Sequence, residues 1–288
     1  MTKVNILREQ GLSYFLRSGI EHTLLHSQIS NTISKRFYWS LAPEVYRRVH
    51  RPEFSLPINP LAVNYVQTEQ IERVSGRQWP RLFRAPKELG STMSGDWDCD
   101  PYPDTEPGYT GSPPDLYQAP TFEETIMHQS LKQRFVHGNK WEETAVYREA
   151  LSLLDGESDF AWRGMKTREE IDQRCNEIDK LYESIKKEGY KTQKQLINEN
   201  KQNRGLTYLD IITNEIMIDV GRDGSLLHVD GYHRLSIAKI LGIREIPVTI
   251  VVRHQDWIDY LEELDQLPVN ERRSRKTDMS HPDLRSLL

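Results

Sequence analysis

Several features that define other protein classes are scarce or missing in this 288-residue sequence. It has two cysteines, Cys99 and Cys175, too few for a disulfide framework, and neither lies in a metal-type spacing. No apolar stretch approaches the roughly 20 residues that a membrane-spanning helix needs. The N-terminus also lacks the apolar core and the cleavage site of a signal peptide. The sequence therefore predicts a soluble protein of the reducing cytoplasm.

An excess of basic charge is missing as well. The chain has 43 Asp and Glu residues against 38 Lys and Arg residues, a net charge of -5. This balance argues against a protein that tracks the nucleic-acid backbone, although it leaves a local basic patch open. The hydrophobic fraction of 37% is low for a fully compact chain but too high for a disordered one. We therefore expect a folded core with long polar segments.

Three regions follow from the patterning of the chain. Residues 1–55 are interpreted as a helical extension, because apolar residues recur at spacings of three and four over 5–36. This amphipathic helix could pack on its own domain, or on a membrane or a protein partner. A domain is predicted at 56–255, and 256–288 is predicted to be a short helix followed by a disordered tail.

Periodicity and turn signals predict an α/β (α+β) domain. The predicted elements are a strand at 61–66, a helix at 168–188, a strand pair at 215–220 and 225–230, a helix at 232–241 and a strand at 245–252. Alternation places Leu61, Val63 and Tyr65 on one face of the first strand. Thr167 and Glu170 have the spacing of a capping box for the first helix.

The junction between the second strand of the pair and the next helix contains a glycine. An acidic residue precedes this glycine, and two residues that can carry a positive charge follow it. Asp230 and Gly231 end the strand, and His233 and Arg234 fall in the first helical turn. A helix N-terminus offers free N–H groups and the positive end of the helix dipole, which favours an anion site. The alternative is a helix capped by Asp230, with His233 and Arg234 on the surface.

The order of these elements resembles the ParB/sulfiredoxin fold. The matching segments are Ser184-Ile185 with Gly189, the D-G-Y-H-R turn at 230–234, and Ile-Pro-Val at 246–248. They lie within 178–252, about a quarter of the chain. The resemblance implies a small mixed sheet that holds the phosphates of a nucleotide at the 230–234 turn. With the strand at 61–66 as the family's first strand, it also implies a large insertion at about 75–165, besides the N-terminal extension.

Two branches of this family fit poorly. Sulfiredoxins use a nucleophilic cysteine where this chain has Tyr232, whose hydroxyl cannot perform thiolate chemistry. Partition proteins carry a DNA-reading helix-turn-helix after the nucleotide domain and a G-E-R-R-type turn. Here only 253–288 follow the last predicted strand, so DNA binding is disfavoured as a partner class.

The turn is most similar to that of the kinases that phosphorylate free serine. This resemblance implies ATP or another nucleoside triphosphate with Mg²⁺, and a small hydroxylated acceptor. Asp230 would be the base or a metal ligand, and Gly231, Tyr232, His233 and Arg234 would hold the phosphates. A nucleotide-gated or DNA-associated binding module without turnover is the alternative.

Two further acidic motifs are candidates for the same site. In GDWDCD, Asp96 and Asp98 would share one side of an extended segment and could hold Mg²⁺ or a sugar hydroxyl. In NKWEE, Glu142 or Glu143 could be the second acid near the acceptor. The alternatives are an acidic insertion loop and a solvated helix surface. Convergence of these acids on Asp230 would favour an enzyme, and their dispersal would favour a binding module.

Overall fold

The computed structural model describes six segments of the chain. These are 55–77, 89–99, 121–155, 165–199, 208–274 and 280–287. The amphipathic helix predicted at 5–36 lies outside them, as does the greater part of the loop predicted at 86–120.

The described segments contain one mixed sheet of six strands. Its strands are β1 (Val63–Gln67), β2 (Ile71–Val74), β3 (Ser91–Met93), β4 (Ile216–Val220), β5 (Leu226–Asp230) and β6 (Glu245–His254). The order is β1-β6-β4-β5-β2, and β3 also pairs with β6. β4 is antiparallel to β5 and parallel to β6, whereas β2 is parallel to β5. The predicted α/β class with a mixed sheet is confirmed.

Nine α-helices accompany the sheet in the described segments. They are α1 (Ile126–Phe135), α2 (Ala145–Asp155), α3 (Arg168–Glu188), α4 (Gln193–Glu199), α5 (Tyr208–Thr213), α6 (Tyr232–Ile240), α7 (Gln255–Asp265), α8 (Val269–Ser274) and α9 (Pro282–Arg285). α1 and α3 both pack against α6. None of these helices has both the length and the apolar character needed to cross a bilayer.

The helix predicted at 168–188 is confirmed as α3. The Thr167 side chain accepts the Glu170 N–H, and the helix stops before Gly189. The Glu170 carboxylate accepts the N–H of Lys166 instead of Thr167, so the capping box is not reciprocal. Every apolar residue predicted for the inner face is buried: Ile171, Cys175, Ile178, Tyr182 and Ile185.

The predicted strand pair is confirmed as the β4–β5 hairpin, and the strand predicted at 61–66 corresponds to β1, although the sequence did not indicate which face of β1 is buried. Tyr65 is 45% exposed, whereas Val66 is fully buried. Apolar residues occur at both odd and even positions of this segment, so their alternation alone does not indicate which face of the strand is buried. Val66 lies opposite Ile246 of β6, and this buried cross-strand pair fixes the orientation of β1.

The predicted insertion contributes to the fold instead of lying outside it. β3 pairs with the C-terminal part of β6, and α1 packs along α6. Phe122, Met127 and Leu131 are fully buried in the main hydrophobic cluster. The domain core therefore includes the insertion.

A disordered tail is the wrong description for residues 280–287. Asp283 accepts two hydrogen bonds from Arg253, at 2.9 and 2.7 Å, and a third from Trp257 Nε1 at 3.1 Å. The side chains of Arg253 and Asp283 are each 1% exposed. Leu284 and Leu287 are buried beside them. The polar composition of this segment gave no indication that a buried ion pair attaches it to β6 and α7.

The Asp283→Ala variant should lower the free energy of unfolding by about 3–5 kcal/mol, because it leaves the buried Arg253 charge without its partner. Urea unfolding of the two proteins measures the difference. Asp265→Ala is the control, since it removes a partly exposed ion pair with Arg272 and should cost about 1 kcal/mol or less. Equal costs for the two variants would show that Asp283 is not a structural anchor.

Candidate functional site

The connection between β5 and α6 requires a glycine for two independent reasons. Gly231 has φ +96°, in the left-handed region that other residues rarely adopt. A Cβ atom at this position would lie 3.1 Å from Ile216 Cγ1 and 3.2 Å from Ile216 Cα. The 230–234 turn is therefore pressed against the first residue of β4.

Asp230 lies beside the start of α6 but is not its N-cap. The N-cap residue is Gly231, which has no side chain to bond the first helical turn. Asp230 Oδ1 instead accepts the N–H of Gly231 at 2.7 Å. The simple helix-cap interpretation of Asp230 is therefore wrong, and its carboxylate lies at the positive end of the helix dipole.

Arg234 links the turn to the chain segment before β4. Its guanidinium donates to the carbonyl of Asn214 and, at 3.1 Å, to that of Glu215. Nη2 is also 3.3 Å from the position that a Cβ of Gly231 would occupy. The positive charge of Arg234 thus lies next to the turn and is oriented by two backbone carbonyls.

The His233 side chain is buried and brings a second guanidinium to the turn. Its Nδ1 is 3.5 Å from Nη2 of Arg174, which also forms an ion pair with Glu177 along α3. Sequence reasoning missed Arg174, because it is 59 residues from His233 and its position on a charged helix predicts only a solvated surface residue. The packing of α3 on α6 brings the two together.

The ring of Tyr232 belongs to a buried aromatic cluster, so only its backbone is positioned for the predicted phosphate contact. Phe122 stacks on it at a centroid distance of 5.7 Å, and His228 meets it edge-on at 4.1 Å. His128 contacts the other side of Phe122 at 5.6 Å. Burial lowers the pKa of His228 to about 3 and that of His128 to about 4, so both imidazoles are neutral near pH 7.

The acidic pair predicted as metal ligands binds an arginine instead. Arg222 Nη2 is 2.7 Å from Asp96 Oδ1 and 2.8 Å from Asp98 Oδ1, and its backbone N–H also bonds Asp98. Burial alone would raise the pKa of Asp98, but the Arg222 hydrogen bonds outweigh it and lower the pKa to about 2. Arg222 lies in the β4–β5 hairpin turn, at the opposite end of β5 from Asp230. The predicted Mg²⁺ role of these acids is therefore wrong.

The acids predicted near the acceptor are not brought to the turn either. Glu142 and Glu143 are exposed on a 3-10 turn at Trp141–Glu143, where the Glu143 carboxylate accepts the Lys140 N–H at 2.9 Å. The Trp141 indole anchors this turn to Asp179 of α3. Nor do the described segments contain any cluster of three or more His, Cys, Asp or Glu side chains arranged to hold a metal ion.

A buried acid behind the turn was not predicted. Glu215 is 1% exposed, and its Oε1 accepts the Gln193 N–H at 2.7 Å. Its Oε2 is buried and has no hydrogen-bond partner in the described part of the chain. Burial raises the pKa of Glu215 to about 7, although the backbone hydrogen bond and the charge of Arg234 oppose the shift. The sequence held one signal that could have identified Glu215, since this residue is an acid at the first position of the strand predicted at 215–220.

A pocket of about 280 Å³ lies at the other end of α6. Acidic, basic and uncharged residues line this pocket: Gln67, Thr68, Glu69, Glu123, Lys239, Gly242, Ile243 and Arg244. Lys239 is bound to Glu123 across it at 3.3 Å. This pocket is separate from the 230–234 turn.

Comparison of the chain with protein-family models, with curated proteins and with solved structures finds no match. The likeness to the ParB/sulfiredoxin family consequently depends on the residues of the turn and on the order of the surrounding elements.

Acidification should destabilise the protein through the two buried histidines. The unfolded chain protonates its histidines near pH 6.5, whereas the folded chain does so only near pH 4 and pH 3. The stability that the two neutral histidines contribute is therefore fully present above pH 6.5 and is lost as the pH drops toward 4, by about 1.4 kcal/mol per unit of pKa shift. Urea unfolding between pH 7 and pH 4.5 should show a shallower fall for His128→Gln. The exposed control His137→Gln should keep the wild-type slope; the same slope in both variants would contradict this assignment.

Replacing Gly231 with alanine should cost about 2–4 kcal/mol, because strain in the left-handed region adds to the contact with Ile216. Gly242→Ala is the matched control, since Gly242 has φ +65° and no atom within 4 Å of its Cβ position. Its cost should be about 1 kcal/mol. Urea unfolding measures both, and equal costs would contradict a close contact between the turn and β4.

Proposed function

We propose that this protein binds a nucleoside triphosphate at the 230–234 turn and transfers a phosphoryl group to a small hydroxylated acceptor. The observation that carries the proposal is the geometry of Gly231. Its left-handed conformation starts α6 without a capping side chain, so no side chain of the N-cap residue bonds the first N–H groups of the helix, which are the groups that bind anions at helix N-termini.

The charges around the turn favour a polyphosphate. The guanidinium of Arg234 lies beside Gly231, and His233 connects the turn to Arg174. Together with the positive end of the α6 dipole, these groups would offset the negative charge of the phosphates. The likeness to the free-serine kinases gives the same residues this role.

Asp230 is the acid of the D-G-x-H-R motif that would act at the transfer step. Phosphoryl transfer depends on positioning and charge neutralisation, with a carboxylate that orients the acceptor hydroxyl or holds Mg²⁺. Proteins commonly bind Mg²⁺ through one or two carboxylates together with the phosphates of the nucleotide. Asp230 would serve in either capacity without a dedicated cage of acids.

A nucleotide-binding module without turnover is the second candidate. It is favoured by the dispersal of the other acids, since Asp96 and Asp98 are bound to Arg222, and Glu142 and Glu143 are exposed on a separate turn. A DNA-associated version gains no support from Arg272, because this residue of the basic run is bound to Asp265.

Nucleotide binding should raise the melting temperature. With Mg²⁺ and ATP, CTP or ADP at a hundred times the dissociation constant, the expected stabilisation is about 2.7 kcal/mol, or roughly 5–10 °C. Asp230→Asn should still bind, because the amide removes a negative charge next to the phosphates, but it should abolish transfer detected by phosphorus NMR with small hydroxylated acceptors. Asp96→Asn is the control and should behave as wild type.

These outcomes separate the two candidates. Binding with acceptor phosphorylation that Asp230→Asn removes supports the transferase. Binding by wild type and Asp230→Asn alike, with no product from any acceptor, supports the binding module. The absence of a thermal shift with every nucleotide would overturn both.

A further inference from the structure

Behind the 230–234 turn lies a group of three polar side chains, the buried Glu215 and the half-buried Arg234 and Tyr190, which we name the Arg234 cluster. Arg234 donates to the backbone carbonyl of Glu215 itself. The buried Tyr190 hydroxyl interacts with the Arg234 side chain, whereas Glu215 Oε2 is buried and has no hydrogen-bond partner in the described part of the chain. A polar atom left in this condition destabilises the fold, since it has lost its water and gained no partner.

The three groups act on one another electrostatically. The charge of Arg234 lowers the pKa values of Tyr190 and Glu215, although burial outweighs it for both residues. Burial raises the pKa of Tyr190 above its ordinary value, so the phenol stays neutral over the physiological range. Glu215 is therefore the member of the cluster whose charge changes near neutral pH.

The remaining neighbours of Glu215 do not compensate its charge. Gln193 offers a backbone N–H from the start of α4 and carries no charge. Lys191 is engaged by Glu188 and Glu199. Asp230 and His233 lie in the turn that follows β5. They are therefore on the side of the Arg234 cluster where the Arg234 guanidinium lies beside Gly231.

We infer that Glu215 is a positioning residue that acts through Arg234, and that its protonation state sets the affinity of the 230–234 turn for phosphate. When Glu215 is neutral, the Arg234 charge acts undiminished on a bound phosphate. When Glu215 is ionised, its negative charge compensates that of Arg234 and repels the anion. This inference rests on the proposed phosphate site, and it adds a group that senses pH near neutrality.

Thermodynamic linkage gives a measurable consequence. If anion binding favours the neutral form of Glu215, then binding takes up a proton from solvent, and affinity falls as the pH rises through the titration of this carboxyl. A shift of one unit in the pKa of Glu215 on binding corresponds to a tenfold fall in affinity.

Titration calorimetry with Mg-ATP, and separately with inorganic sulfate, between pH 5.5 and 8.5 tests this inference. Sulfate does not titrate in this range, so the proton uptake measured in two buffers of different ionisation enthalpy belongs to the protein. Wild type should lose about tenfold in affinity from pH 6 to pH 8. Glu215→Gln keeps an acceptor for the Gln193 N–H, and it should bind at pH 8 as tightly as wild type at pH 6. Glu183→Gln, an exposed position on α3, is the control and should follow wild type.

Each outcome decides between the inference and the proposed function. If wild type binds with an affinity that does not change with pH, or if Glu215→Gln keeps the wild-type pH dependence, the inference is overturned and the phosphate site stands. If wild type binds neither probe at any pH, the proposed function is overturned as well. Should Glu215→Gln not fold, carbon-13 NMR of the carboxyl groups of glutamate-labelled wild type supplies the decision: a glutamate carboxyl that titrates near pH 7 and gains a proton when sulfate binds supports the inference, and binding without such a signal overturns it.

Discussion

The contact between the 230–234 turn and the start of β4 is the constraint on which the candidate site depends. Gly231 has no Cβ and can lie against Ile216, while Arg234 bonds the carbonyls of residues 214 and 215. This contact fixes where α6 begins, and therefore where its N–H groups and its dipole are directed. It also places the Arg234 guanidinium beside the turn, with the Glu215 carboxyl behind it.

Local signals in the sequence were sufficient for the elements that surround this contact. Thr167 and the apolar spacing that follows it predicted α3, because capping and helical periodicity act over a few residues. The strand pair at 215–220 and 225–230 was predicted for the same reason, because Asp223-Gly224 between the two strands favours a tight turn. The turn itself was recognisable only together with its flanking elements, since an acid, a glycine and a basic pair at a strand–helix junction also fit a capped helix with surface charges.

Long-range partners of charged residues could not be predicted. The sequence shows the carboxylate of Asp98, but the Arg222 that binds it is 124 residues away. Asp283 fell in the predicted disordered tail and Glu215 was not singled out, because burial of a charge contradicts the ordinary preference of these residue types. Each is buried only through tertiary contacts: Asp283 with Arg253, and Glu215 with the backbone of α4.

The buried titratable groups have opposite effects on stability, and this contrast bears on function. Between pH 4.5 and 6.5, His128 and His228 make the fold more stable as the pH rises, because the unfolded chain holds their protons more tightly. Glu215 makes the fold less stable over the same rise, since the unfolded chain ionises it first. A neutral glutamine would avoid this loss at position 215 and would retain the bond to Gln193. Glu215 therefore lowers stability at neutral pH, and it lies behind an arginine that is next to a helix N-terminus. Residues that reduce stability in this way are common at functional sites, where binding and folding favour different side chains.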